Sequence, residues 1–353
     1  MPRRHPVGLY VLFFTEMWER FGFYAMSALF ALYMDDKNNP HSLLRDNQAL
    51  ILGSYLGLVY FTPFFGGIIA DRWLGYRLSV VIGGLLLALG YFLLAWSPLP
   101  AFFGGLLLIV LGNGLFKPNI STMVGREYPP QDVRLDSAYT IFYMGINVGA
   151  LAAPLMAGPL IRYFRYDEFD GYYAGFIAAG IGMLISVAVF VTCLRWLTGS
   201  DGPTRLPGSP QDEVVPPDVQ WRRHVALLII FAVVILFWMA FKQNAGTFNF
   251  WFRDHTIRTP KPWLRDLLDA LRLDRLFIDR EGDFNKTLQS AINPFFVILF
   301  SPFYNWFWAR LRSRGVEPTT PTKVAMGMLL TSGAFALLAL GGLSGGNTGR
   351  VSG

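Results

Sequence analysis

Apolar stretches long enough to cross a bilayer recur along this chain, at about 9–33, 48–70, 78–97, 101–123, 136–161, 172–197, 224–248, 288–309 and 324–343. A bilayer core takes about 20 apolar residues per helix. Within lipid each segment must satisfy its own backbone N–H and C=O groups, which at this length means a helix. Nine such segments predict an all-α membrane protein. Composition agrees, with 53% of the residues hydrophobic and only 15% charged, against about 25% charged in soluble domains. The net charge of +6 fits basic loops at a cytoplasmic surface better than nucleic-acid binding, because no basic face is continuous. Cys193 is the only cysteine, and the four histidines lack ligand spacing, so neither a disulfide nor a metal cofactor is expected. No Ser-His-Asp candidate and no phosphate-binding glycine loop is found, so the chain does not read as an enzyme.

The first stretch contains Glu16-Met17-Trp18-Glu19-Arg20 in the middle of apolar sequence. An ionisable group at mid-bilayer costs roughly 2.5–3.5 kcal/mol on insertion scales. In a helix, positions 16, 19 and 20 share one face and can pair. Phe23, Tyr24 and Ser27 continue that face. One reading is a structural salt bridge between packed helices. The other, preferred here, is a proton site, where a carboxylate titrates as Arg20 is drawn to a substrate. MPRR followed by an apolar run mimics a secretion signal, but these charges interrupt the core and no cleavage site follows, so a retained helix is expected.

With the N-terminus inside, Arg3, Arg4, Arg72, Arg77, Arg126, Arg134, Arg195, Arg222, Arg310 and Arg312 all fall on the cytoplasmic side. Residues 253–287 carry eight further basic residues and seven acids on the other side, where long loops obey the rule weakly. LRDLLDALRLDRLFI within that stretch reads either as a short amphipathic helix or as a disordered loop. The Pro-, Gly- and Ser-rich stretch 198–223 reads as a flexible cytoplasmic linker between residues 1–197 and 224–353.

The string EMWERFGFYAM resembles the ExxERFxYY signature on the first helix of the proton-dependent oligopeptide transporter family, a branch of the major facilitator superfamily. Four further strings follow in the family's order. GGIIADRWLGYR, residues 66–77, resembles the loop after the second helix. There Gly66 and Gly67 allow close helix approach, and the resemblance gives Asp71, Arg72 and Arg77 a gating role. Asp71 could instead cap the next helix, and a plain tight turn with basic flanks would also explain the string. GNGLFKPNISTMVG carries Lys117 in the family's KPN motif, facing a substrate cavity rather than snorkelling to the interface. YTIFYMGINVGAL places Gly145 and Gly149 on a packing face and Asn147 near a bound peptide. LQSAINPFF resembles the QSxNP element and implies a cavity position for Asn293. Tyr60 and Trp238 fall where the family has cavity aromatics.

Departures from the pattern stand beside these matches. The tyrosine pair is Phe23-Tyr24, the peptide-clamping Arg is Ser27, and the seventh-helix carboxylate is replaced by Lys242. A desolvated Lys242 could exchange protons, or pair with Glu16 or Glu19 as a fixed counter-charge.

The resemblance implies a major facilitator fold with a complete six-helix N-terminal bundle and three helices of a C-terminally truncated second one. It also implies a multi-pass protein of the cytoplasmic membrane with its N-terminus inside. The implied activity is proton-coupled symport of di- and tripeptides or similar small solutes by alternating access. Protons are the coupling ion, no cofactor is used, and the partners are small peptides and the lipid bilayer. Glu16, Glu19 and Arg20 would couple protons, and Arg20, Tyr24, Tyr60, Lys117, Asn147, Trp238, Lys242 and Asn293 would bind substrate. The alternatives are a transporter of another anionic solute such as nitrate, favoured by Lys242, and a non-transporting remnant, favoured by the odd number of helices.

Overall fold

The computed structural model describes residues 4–39, 41–96, 98–129, 132, 134–164, 171–197, 217–241, 251, 256–257, 259–279, 282–285, 288–344 and 351–352. Among the described residues twelve α-helices follow one another: α1 (Val7–Asp35), α2 (Ser42–Asp46), α3 (Gln48–Ile69), α4 (Tyr76–Leu94), α5 (Leu99–Arg126), α6 (Leu135–Tyr163), α7 (Tyr172–Thr192), α8 (Pro217–Phe241), α9 (Pro262–Ala270), α10 (Asp274–Phe277), α11 (Gln289–Ser313) and α12 (Thr320–Ser344). A π-helical turn, Ala70–Leu74, extends α3 as far as Gly75. A two-residue parallel pairing joins Thr256–Ile257 to Val351–Ser352.

Seven helices among the described residues are long and apolar enough to cross a membrane: α3 with its π turn, α4, α5, α6, α7, α8 and α12. α1 and α11 have the length, 29 and 25 residues. Glu16, Glu19 and Arg20 dilute the apolarity of α1, while Gln289, Asn293, Arg310 and Arg312 dilute that of α11. Among the described residues, length and composition alone therefore give seven spans and leave the expected nine unconfirmed.

The core lies in α1 and α3–α7. α1 is wedged between α6 and α7, α4 packs against α5 and α7, and α3 lies along α5. Leu12, Met26 and Phe30 of α1, Tyr91 of α4, Phe116 of α5 and Phe176 of α7 are fully buried there. Lipid tails are as apolar as leucine, so close packing has to hold such helices together, and small residues permit it. A Cβ at Gly149 would collide with the Met17 carbonyl of α1, and one at Gly66 with the Gly114 carbonyl of α5. Gly67 has nothing within 4 Å, so only the first glycine of the expected pair makes the approach.

One boundary expectation changes. α8 begins at Pro217, seven residues before the expected 224, and takes up the last part of the expected linker 198–223; the rest of that stretch, 198–216, lies outside the described residues. Proline's fixed φ suits a first helical position, and the polar turn Gln220–His224 then extends the apolar run toward the N-terminus. Within 253–287, the amphipathic alternative holds at Pro262–Ala270. Lys242 lies outside the described residues.

Candidate functional site

On α1, Glu16, Glu19 and Arg20 are 2%, 0% and 5% exposed. The Arg20 guanidinium forks onto Glu19: Nη2 donates to Oε1 at 2.6 Å, and Nε donates to Oε2. Nε also lies 3.2 Å from Glu16 Oε1 across one helical turn. The second oxygen of Glu16, Oε2, is buried with no hydrogen-bond partner. Two carboxylates thus share one guanidinium, and the triad is one charge out of balance.

α6 closes over this triad. Besides the Met17 carbonyl, Gly149 is pressed against α1 so tightly that a Cβ there would lie 3.1 Å from Arg20 Cβ. Gly145 abuts Phe13 in the same way. Two residues before Gly149, Asn147 is buried, and its amide donates to the Tyr143 carbonyl at 2.8 Å.

Tyr24, Asn147 and Asn293 come together in the wall of a cavity of about 140 Å³, formed by α1, α3, α6, α8 and α11. Ser27, Tyr55 and Ser290 complete its polar lining, and Phe23, Phe30 and Phe241 supply aromatic wall. Phe23 also carries the Arg20 guanidinium carbon 4.9 Å from its ring centre, so one ring touches both triad and cavity. The Ser27 hydroxyl oxygen is buried without a partner.

The other expected binding residues stand apart from this cavity. Lys117 Nζ lies 4.8 Å from the Tyr60 ring centre, a cation–π contact between α5 and α3, and among the described residues no carboxylate is within salt-bridge distance of it. Trp238 is 46% exposed and meets Phe237 and Phe241 edge-on; Phe241, not Trp238, lines the cavity.

At the other end of α3, Asp71 accepts the Tyr76 hydroxyl at 2.5 Å, and Arg126 of α5 lies over that same ring at 4.4 Å. Gly75 caps α4 with no side-chain bond, so Asp71 does not serve as the helix cap. Arg77 donates to the Leu197 carbonyl after α7, and Arg72 is exposed.

Sequence reasoning missed Tyr55, Ser290 and the α3–α5 lacing. Asn113 donates to the Val59 carbonyl at 2.8 Å, and Thr62 to the Val110 carbonyl at 3.0 Å. Asn113, a polar residue within GNGLFK, was the available signal. Tyr55 gives none, because one tyrosine in an apolar helix reads as ordinary wall.

A many-helix membrane bundle that buries an unbalanced charged triad beside a polar cavity defines a solute transporter. The POT family profile matches residues 77–204 and 284–353, and the chain belongs to that family. It is 31% identical over 383 residues to the uncharacterized transporter YclF of Bacillus subtilis (strain 168), covering 97% of this chain and 75% of that one. It is 32% identical to dipeptide and tripeptide permease B of Edwardsiella piscicida, covering 96% and 72%. A crystal structure of a peptide transporter POT in complex with sulfate matches with a TM-score of 0.67 and 29% identity, over 99% of this chain and 77% of that one. Members of the family are multi-pass membrane transporters and not enzymes.

Proposed function

We propose that the chain is a proton-coupled symporter of di- and tripeptides or similar small solutes, working by alternating access. The observation that carries this reading is the unpartnered Glu16 Oε2 in a triad of two acids and one base. A proton on that oxygen would neutralise the triad. The Arg20 guanidinium would then be held by Glu19 alone and could turn toward a substrate carboxylate. Tyr24, Asn147 and Asn293 offer hydroxyl and amide groups to a peptide backbone in the cavity. Lys117 of α5, resting on the Tyr60 ring of α3 beside this cavity, would be a second cation for the substrate's negative end.

Asp71, Tyr76 and Arg126, with Arg77 on the Leu197 carbonyl, form the polar closure that would open and shut the cytoplasmic side. The orientation proposed is N-terminus inside, in the cytoplasmic membrane. Lys242 follows cavity-lining Phe241 in sequence and is proposed as a fixed counter-charge to the triad. Protons are the coupling ion, and no cofactor is required.

The test is uptake of a labelled dipeptide into proteoliposomes under an imposed inward proton gradient. Accumulation above equilibrium, blocked by unlabelled dipeptides and not by nitrate, is expected. Competition by nitrate alone would move the reading to an inorganic-anion carrier. With Glu16→Gln, accumulation should be lost while gradient-free exchange of the same dipeptide persists; an unchanged response to the gradient would remove Glu16 from the coupling. Lys117→Ala should raise the KM about tenfold, the loss of one charge-assisted contact of about 1.4 kcal/mol.

A further inference from the structure

We propose that α9 lies flat in the membrane–water interface, with the stripe Trp263–Leu267–Leu271 set into the headgroup–acyl boundary of the bilayer. These positions fall at i, i+4 and i+8, on one line along the helix and its C-cap. Their exposures are 63%, 46% and 58%, while Leu268, on the neighbouring line, is 8% exposed. One edge of the apolar arc is therefore used by the protein and the rest is bare.

On the charged side, Arg265 reaches back to the protein, while Asp266 and Asp269 stay exposed. The Arg265 guanidinium leans over the turn at Gly282, where a Cβ would stand 3.5 Å from it. That turn is closed by the Asp283 amide donating to Asp279 Oδ1 at 3.0 Å, and Thr259 donates to Asp283 at 2.7 Å. With Leu268 buried and Arg265 over this loop, the stripe Trp263–Leu267–Leu271 is left exposed.

What lies outward follows from where the segment is fastened. Arg162, in the last turn of α6, donates to the Ile278 carbonyl at 2.8 Å, and the buried Asn285 fills the space beside Gly158 of α6. The α9–α10 segment is thereby held level with the end of a membrane span. The same rim carries Tyr163, 81% exposed, and Phe164, with Trp96 just past the end of α4, which points the same way as α6 by alternation of the spans. Exposed aromatic rings at one level mark the interfacial belt, where an apolar body meets lipid and a polar edge meets water. The segment's charges nearly cancel, with Lys261, Arg265 and Arg272 against Asp266 and Asp269. Apolar area rather than attraction to anionic lipid is the driving term, so neutral phosphatidylcholine suffices.

The test uses the full chain with Cys193→Ser, carrying a single spin-labelled cysteine, in phosphatidylcholine proteoliposomes. Labels at Leu267→Cys and Leu271→Cys should collide several-fold more with oxygen than with a water-soluble nickel chelate. A label at Asp266→Cys should show the reverse. Leu267 and Leu271 labels as open to nickel as Asp266 would place the stripe in water and overturn the proposal. Shielding of both labels from both reagents would assign it to a protein partner, such as a second copy, and overturn it equally. The residues labelled are exposed, and agreement between Leu267 and Leu271 guards against local distortion by either substitution.

Discussion

The bundle of α1 and α3–α7 and the later helices α8 and α12 are built from similarly apolar sequence, yet they hold together differently. About half of the spanning stretches of α4–α7 is buried, whereas none of α8 or α12 is. The difference lies in the small residues and buried polar groups. α3–α6 bring glycines against neighbouring backbones, α7 brings its glycines against neighbouring side chains, and Asn113 of α5 and Thr62 of α3 reach across to each other's helix carbonyls. α8 contains no glycine at all, and a Cβ added at Gly327 or Gly333 of α12 would meet nothing within 4 Å. In the second region the described ties sit at helix ends and loops instead: α11 rests on α6, and Glu317 joins Arg312 to Lys323 between α11 and α12. Apolarity puts a helix in the membrane, and close backbone approach puts it in a core.

Substitutions that contrast the two regions test this directly. Gly149→Leu would force α6 off the Met17 backbone, where no side chain can yield, and should cost about 5 kcal/mol or abolish folding, the exceptional range for one change. Gly327→Leu should stay within about 0.5 kcal/mol; thermal midpoints in detergent read both, and equal losses would erase the distinction. Arg20→Ala leaves two carboxylates buried without their base and should cost about 3–5 kcal/mol. Arg312→Ala removes an exposed pair and should leave the midpoint close to that of the parent by the same assay. A smaller effect separates Asn113→Ala, which breaks an interhelical bond and should cost about 0.6–1.7 kcal/mol, from Thr331→Ala, which removes only a bond to its own helix. Parity of those two would say the lacing is ornamental.

The smallest effect concerns pH. Hydrogen bonds from Arg312 and then Lys323 bring the Glu317 carboxyl from its ordinary 4.5 down to about 2. Its folded value lies below its unfolded one, so its contribution is complete above about 4.5 and fades as pH falls toward about 2. Hydrogen-exchange protection factors of residues 314–319, with the intrinsic pH dependence of exchange divided out, should therefore be flat from neutrality to about 4.5 and fall below it, and Glu317→Gln should flatten that response.

Much of this was legible from residue type and spacing. The triad was readable because i, i+3 and i+4 fix a shared face, and the long helices because apolar length is local information. Helix ends were less so: α8 starts early because Trp221 and Arg222 can line an interface as readily as a loop. The cavity was half readable. Tyr24, Asn147 and Asn293 converge on it, but Lys117 and Tyr60 pair beside it, and Tyr55 and Ser290 enter it unannounced. Which faces meet is set by helix rotation and crossing, which no single helix encodes.

Phe23 shows what that convergence imposes. Its ring borders the cavity and also cushions the Arg20 guanidinium. Trimming it to leucine would enlarge the chamber and, in the same stroke, strip the cation of its π cloud. Room for cargo and grip on the base are thus geared together through a single phenyl group, and mutation cannot adjust one without disturbing the other.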